Sequence, residues 1–129
     1  MNEVAIIGAG VVSSLGNDVA SFSESLQNGR IGYKTTPILE QLNFRSKIAS
    51  YPDESTFNYQ ALGIAPQYLL TCDDVGRFTL VAAAQAVKQA GLTDELMQNP
   101  DCGVLIGCGL GGVNDMVEQS FLIAMRQVV

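Results

Sequence analysis

Two short runs of apolar residues stand out along the chain, and each run ends in glycine. Residues 3–8 read EVAIIG, and residues 103–107 read GVLIG. An apolar run of this length bounded by glycine is typical of a strand that is covered on both faces of a sheet. The sequence therefore predicts two buried strands, one near each end of the chain.

Between these runs, apolar residues recur at helical spacing in two segments. The pair Asn17-Asp18 supplies natural N-caps for a helix to about Gln27, and Asn28-Gly29 suits its end. Asp74 is the predicted N-cap of a longer helix that ends near Gly91. Because this helix is rich in alanine, which combines high helix propensity with little bulk, we expect a central helix that is buried on more than one side.

The segment between the two helices has a weaker pattern. Residues 30–58 show no clear periodicity and predict a surface excursion that contains a short strand at 46–50. Asn58 is expected to cap a short helix to about Leu62, and Pro66 suits the first turn of a second short helix.

The order of these elements indicates the fold class. A polar turn over residues 93–101 leads into the second strand, and a last helix is predicted from about Asn114. The order strand, helix, excursion, helix, strand, helix is typical of a layered α/β/α fold with a mostly parallel sheet. The 129 residues fit a single domain at most.

Composition and charge exclude several classes of partner. The chain carries a net charge of −6 with only 7 basic residues, scattered along its length. Nucleic acids and anionic membranes are bound by clustered Lys and Arg, so we expect neither partner. No stretch is long and apolar enough to cross a bilayer, and the opening residues lack the basic region of a secretory signal. The expected location is therefore the cytoplasm.

The cysteines do not predict a metal or catalytic site. They are Cys72, Cys102 and Cys108, which follow no metal-binding spacing, and the sequence contains no histidine. A zinc site or a Cys–His nucleophile pair cannot be built from these residues alone. We expect reduced thiols buried as small hydrophobic side chains, with no catalytic residue, metal or cofactor in this chain.

The glycines that follow each predicted strand raise the question of a phosphate-binding loop. Residues 8–13, GAGVVS, resemble the dinucleotide fingerprint GxGxxG, but Ser13 replaces the third glycine and no second strand ends in an acidic residue about 20 positions later. Residues 107–112, GCGLGG, lack the lysine that a phosphate loop of the GxxxxGK type requires. A small nucleotide-binding α/β module is thus an alternative that rests on glycine placement alone.

Taken in order, these stretches resemble the β-ketoacyl-acyl carrier protein synthases, the condensing enzymes of fatty acid and polyketide synthesis. The resemblance is carried by EVAIIGAGVVSSLGNDVASFSESLQNGRIG, GRFTLVAAAQAVKQAGL, CGVLIGCGLGG and the helix after it. It covers nearly the whole chain and is weakest over residues 33–70. It implies a thiolase-type fold and identifies residues 1–129 as the N-terminal segment of a β-ketoacyl synthase domain.

The resemblance also implies an activity for the complete protein. Members of this family take an acyl group from acyl carrier protein onto a cysteine and extend it by decarboxylative condensation with a malonyl thioester. Their nucleophilic cysteine and later histidines lie beyond the stretches matched here, so this chain alone is expected to be inactive. Cys108 stands where the family commonly has serine and is not expected to be the nucleophile. The alternative is a non-catalytic, chain-length-factor-like subunit that pairs with an active ketosynthase.

By the same resemblance, residues 107–112, here called the second glycine junction, border the acyl-chain tunnel near a dimer interface. Gly109, Leu110 and Gly111 are the implied substrate-binding residues, with Leu110 as a gate on the tunnel floor. A core leucine at a tight turn is the alternative interpretation of Leu110. The partner is implied to be a second copy of the chain or another ketosynthase subunit. The predicted contact face comprises Val113, Met116, Val117, Phe121 and Leu122.

The approach to the long helix departs from the family. Many bacterial members carry several Lys and Arg at this position, which help to dock the acidic acyl carrier protein. Here residues 67–74 read QYLLTCDD and contain no basic residue. Acidic side chains repel an acidic partner and slow its association. Carrier docking is therefore expected to use later residues or a partner subunit, or to be lost.

Overall fold

The computed structural model describes residues 3–126. Within this range, helices predominate and the strands are short. The helices are α1 (Val19–Gln27), α2 (Pro37–Gln41), α3 (Pro66–Leu69), α4 (Asp74–Ala90), α5 (Asp94–Met97) and α6 (Val113–Arg126). The strands are β1 (Tyr33–Thr35) and β2 (Ile48–Ser50), and two 3₁₀ turns lie at Glu54–Thr56 and Gln60–Leu62.

Helix α1 begins and ends where its sequence predicts. The carboxylate of Asp18 accepts a hydrogen bond from the backbone N–H of Ser21 at 2.8 Å, which satisfies a donor that every helix start leaves free. Hydrogen bonds from the backbone and hydroxyl of Ser21 lower the pKa of Asp18 below its ordinary value of 3.8. After the helix, Gly29 takes the left-handed conformation with φ of 62°.

Helix α4 is the longest helix within residues 3–126, and its cap lies one residue earlier than predicted. The N-cap is Asp73, not Asp74, because the backbone at Asp73 is extended and its carboxylate accepts a hydrogen bond from the Gly76 N–H at 2.7 Å. The predicted end at Gly91 is confirmed, with φ of 65°. Burial is less than expected: Val81 is enclosed, whereas the other residues of α4 are half-buried or exposed in the described part of the chain.

The observed sheet is a single antiparallel pair. Strands β1 and β2 align with Tyr33 opposite Ser50 and Thr35 opposite Ile48. Strand β2 falls within the short strand predicted at 46–50, which is thereby confirmed. Strand β1 is missed by the sequence pattern because three residues are too few to show an alternation.

The two predicted apolar strands are not strands in this structure. Residues 3–8 and 103–107 form no backbone ladder within the described residues. A strand requires a neighbouring strand for its hydrogen bonds, and both segments are uncovered, with Val4 94% and Leu105 100% exposed. The mostly parallel sheet therefore stays a prediction.

The short elements follow local capping signals. The turn at Gln60–Leu62 is 3₁₀ rather than α-helical, and its N-cap is Tyr59, one residue after the predicted Asn58. The Asn58 carboxamide oxygen still accepts a hydrogen bond from the Ala61 N–H at 2.9 Å. Helix α3 begins at Pro66 as expected. The predicted polar turn over 93–101 contains α5, whose first turn is capped by the hydroxyl of Thr93. Helix α6 starts within one residue of its predicted position.

An aromatic contact and an ion pair hold residues 54–57 of the excursion against α4. The ring of Phe57 meets that of Phe78 edge to face, with ring centroids 6.1 Å apart. The Arg77 guanidinium pairs with the Glu54 carboxylate at 3.3 Å and also with Asp74. Burial lowers the pKa of Arg77, but the charge and hydrogen bond of Glu54, with Asp74, outweigh burial and raise this pKa overall. The first turn of α4 is thus held by the 3₁₀ turn opposite it.

Candidate functional site

The first glycine junction, residues 8–13, packs closely against helix α4. A Cβ atom added to Gly10 would overlap the carbonyl oxygen of Ala82 and lie 2.7 Å from its carbonyl carbon. One added to Gly8 would overlap the carbonyl oxygen of Ala86. Carbonyl oxygens carry partial negative charge and repel phosphate oxygens. The glycines therefore make room for a helix rather than a pyrophosphate, which contradicts the nucleotide-binding interpretation.

Two glutamine side chains of α4 bind the backbone of this junction. Gln89 Oε1 accepts a hydrogen bond from the Ala9 N–H at 2.6 Å, and Gln85 Oε1 accepts one from the Val11 N–H at 3.0 Å. Gln85 Nε2 also donates to the carbonyl oxygen of Asn17 at 2.6 Å. The junction is thereby tied to the second half of the helix. Sequence reasoning missed both glutamines, although their four-residue spacing on an alanine-rich helix is a visible signal.

Asn17 extends this network to the excursion. Its Nδ2 donates to the carbonyl oxygen of Asp53 and to the hydroxyl of Thr56, both at 2.7 Å. Its Oδ1 is buried and has no hydrogen-bond partner among the described residues. Hydrogen bonds from the hydroxyl and backbone of Ser55 lower the pKa of Asp53. Asn17, predicted only as part of a helix cap, therefore links the N-terminal junction, α4 and the excursion.

The second glycine junction stands against the start of α4. A Cβ atom added to Gly111 would lie 2.9 Å from Cys108 Sγ and 3.4 Å from Val75 Cγ2, so this position is closely packed. Gly112 has φ of 69°, a conformation that favours glycine. At Gly109 an added Cβ would meet no described atom within 4 Å. Close packing or backbone conformation thus explains the last two glycines of the junction, and Gly109 borders open space.

A small cavity of about 220 Å³ lies between this junction and α4. Its lining includes the apolar side chains of Val75, Leu110 and Val113. The polar and charged side chains that also line it are Asp73, Asp74, Arg77, Asn114 and Asp115. The volume is below the range of about 300–1,000 Å³ that is typical of complete small-molecule sites. The cavity is therefore too small for a whole ligand of that kind.

The structure brings together only part of the predicted acyl-binding set. Leu110 lines the cavity and is 79% exposed, and a Cβ atom added to Gly111 would lie 3.4 Å from Cγ2 of Val75, which also lines it. A Cβ atom added to Gly109 would meet no described atom within 4 Å. The contact face predicted on α6 is exposed, which leaves its role as an interface a prediction. Its members Val113, Met116, Val117, Phe121 and Leu122 are between 37% and 66% exposed.

The cysteines are free thiols and are less buried than expected. Cys102 and Cys108 are exposed and Cys72 is half-buried, so the prediction of burial is wrong for the first two. Within residues 3–126, no group of three His, Cys, Asp or Glu side chains is placed to hold a metal ion. Over the same range, every helix is too short or too polar to cross a membrane.

Comparison with known proteins gives a consistent set of relatives. 3-Oxoacyl-acyl-carrier-protein synthase II of Arabidopsis thaliana, a chloroplastic protein, is 33% identical over 113 residues, which are 85% of this chain and 20% of the relative. The tetracenomycin polyketide synthase ketoacyl synthase alpha subunit of Streptomyces glaucescens is 33% identical over 109 residues, 84% of this chain and 25% of the relative. 3-Oxoacyl-acyl-carrier-protein synthase 1 of Haemophilus influenzae is 25% identical over 125 residues, 91% of this chain and 28% of the relative.

The family assignment rests on the extent of the match. The chain spans between 20% and 28% of the length of these relatives. Residues 1–126 match the family described as beta-ketoacyl synthase, N-terminal domain, which implies a thiolase-like α/β fold. Because that match covers almost every residue, the chain belongs to the β-ketoacyl synthase family.

Proposed function

We propose that the intact protein is a condensing acyltransferase of fatty acid or polyketide synthesis, and that this chain is its N-terminal segment. The observation that carries the proposal is the family match over residues 1–126. It is supported by the names of relatives, which describe 3-oxoacyl-acyl-carrier-protein synthases and a polyketide synthase subunit. The nucleophilic cysteine is assigned to a part of the protein beyond this chain.

The proposed reaction has two steps, an acyl transfer and a decarboxylative condensation, and neither step requires an oxidant or a reductant. First, the acyl group moves from the thiol of acyl carrier protein to the cysteine thiolate, so that one thioester breaks and another forms. Second, a malonyl thioester loses CO₂, and the electron pair of the broken C–C bond remains as an enolate. The enolate carbon attacks the acyl thioester, forms the new C–C bond and expels the cysteine thiolate.

Within this chain, we assign the acyl-binding role to Gly109, Leu110 and Gly111. Leu110 lines the cavity at the start of α4, together with Val75 and Val113. A Cβ atom added to Gly109 would meet no described atom within 4 Å, so there is free space beside Leu110 on that side. These features support a leucine that borders an acyl tunnel and gates its floor.

Replacing Leu110 by phenylalanine is expected to shorten the preferred acyl primer. A ring at this position fills the cavity and turns less easily than a branched aliphatic chain, so kcat/KM for long primers should fall by about tenfold or more. The value for an acetyl primer should stay within about twofold. Steady-state kinetics of the intact protein with primers of increasing length measures this. The control Leu42→Phe changes a leucine that is 61% exposed in the excursion. An equal loss at every primer length would show that Leu110 is a packing residue.

The condensing activity itself is tested on the intact protein. Incubation with acyl-loaded carrier protein should give a stoichiometric acyl adduct by intact mass, released by hydroxylamine. Addition of a malonyl-loaded carrier should consume the adduct and yield a 3-oxoacyl product and CO₂. If the protein forms neither adduct nor product with any primer, the proposal of an active enzyme is wrong.

A non-catalytic partner subunit is the second candidate, and the charges near α4 favour it. Residues 67–76 contain no Lys or Arg, and Arg77 is paired with Glu54 and Asp74. An acidic carrier protein therefore meets no free cation on this approach. A protein of this kind would form no acyl adduct by itself but would copurify with a ketosynthase that does.

For either candidate, we assign the exposed apolar residues of α6 to a subunit contact, in a homodimer or with another ketosynthase subunit. Met116 and Val117 lie three and four residues after Val113, and Phe121 lies four residues after Val117, which is the spacing of a helix face that packs on a partner. Val113 and Leu122 flank this face, and both are partly exposed.

A further inference from the structure

We propose that Gln85 and Gln89 form a clamp that fixes the register of the first glycine junction on α4. In an extended segment, N–H groups that point to the same edge are two residues apart, or about 6.7 Å. Residues four apart on a helix are separated by about 6 Å along its axis. Ala9 and Val11 can therefore be matched by Gln89 and Gln85, with the segment running opposite to the helix.

The glycines define the same register by their lack of side chains. Gly8 faces the backbone of Ala86, and Gly10 faces that of Ala82, again four residues apart on α4. If the junction slipped along α4 by one residue, a residue with a Cβ atom would take the place of a glycine. That Cβ atom would then overlap the carbonyl oxygen of Ala82 or Ala86. The hydrogen bonds and the steric fit therefore select one and the same alignment.

The two glutamines differ in the chemistry that their positions require. Gln89 Oε1 accepts a hydrogen bond from Ala9, and a carboxylate at that position can accept the same bond. Gln85 accepts from Val11 and also donates through Nε2 to the carbonyl oxygen of Asn17. A carboxylate has no donor, so glutamate at position 85 would place an oxygen against an oxygen. A clamp of this kind therefore tolerates glutamate at position 89 but not at position 85.

Hydrogen exchange of the intact protein, followed by mass spectrometry on a peptide spanning residues 5–12, tests the clamp. Gln89→Glu should leave exchange unchanged. Gln85→Glu should speed exchange by about tenfold, because repulsion between its carboxylate and the Asn17 carbonyl oxygen would move the side chain away from the partly buried Val11 N–H. Gln41→Glu, which changes an exposed glutamine of α2, is the matched control. The proposal would be overturned if the exchange rate of this peptide were the same in Gln85→Glu as in Gln89→Glu.

A second pair of variants decides the question if Gln85→Glu does not fold. Gln89 is exposed, so both of its variants are expected to keep the fold. Gln89→Leu removes the acceptor for the Ala9 N–H, and one protected amide should be lost from the peptide. Protection that is kept in Gln89→Glu and lost in Gln89→Leu supports the clamp. Equal exchange in these two variants overturns it.

Discussion

Replacing Gly10 by alanine should lower the free energy of unfolding by about 3 kcal/mol or more. The added methyl group would overlap the carbonyl oxygen of Ala82 and lie 3.0 Å from its Cα atom. These are backbone atoms of a helix and cannot rotate away as the end of a flexible side chain can. The junction would have to move off α4, and the hydrogen bond from the Val11 N–H to Gln85 would be lost with it.

Two further variants separate this clash from the general effect of losing a glycine. Gly8→Ala should behave like Gly10→Ala, because its Cβ would overlap the carbonyl oxygen of Ala86. At Gly29 an added Cβ would meet nothing within 4 Å, and φ of 62° is the source of strain, so Gly29→Ala should cost only about 1 kcal/mol. Denaturant unfolding of the intact protein measures all three. Equal losses for Gly10→Ala and Gly29→Ala would contradict the close approach of the junction to α4.

The parts of the fold that the sequence predicts well are those fixed by local chemistry. Helix α1 starts at a carboxylate that caps it and ends before a left-handed glycine, and both signals can be read within a few residues. The end of α4 at Gly91 and the start of α3 at Pro66 follow the same logic. The cap of α4 differs by one residue because Asp73 and Asp74 are chemically equivalent, and only the backbone shows which one is extended.

The parts that sequence reasoning did not place depend on distant contacts. An apolar run such as residues 3–8 predicts a strand, but the strand forms only where another strand lies beside it. The hydrogen-bond partners of Gln85 and Gln89 lie 68 to 80 positions away along the chain, so capping signals and periodicity do not reveal them. At the candidate acyl site, Leu110 was selected by resemblance, whereas its neighbour Val75 emerges from the structure.

The exposed apolar segments carry a further consequence for a polypeptide limited to residues 1–129. Ile6 is 91% exposed and Leu105 is 100% exposed, and each lies within an otherwise apolar run. Phe121 on α6 is 66% exposed. Stable monomers rarely leave apolar patches larger than a few hundred Å² in water, so surfaces of this kind normally meet another part of the protein or another chain.

We therefore expect the polypeptide of residues 1–129, prepared alone, to associate rather than remain a monomer. Its sedimentation coefficient should rise with concentration, because burial of the apolar runs and of the α6 face releases about 25 cal/mol per Å² of apolar surface. The double variant Ile6→Lys/Leu105→Lys places charges in both runs and should reduce association, because charged side chains block the pairing of exposed strands. The matched control Glu3→Gln/Asp101→Asn makes the same change in net charge at or next to these runs without altering their apolar side chains. A monomer at every concentration, with slowly exchanging core amides, would show that residues 1–129 form a self-sufficient domain and that these runs need no partner.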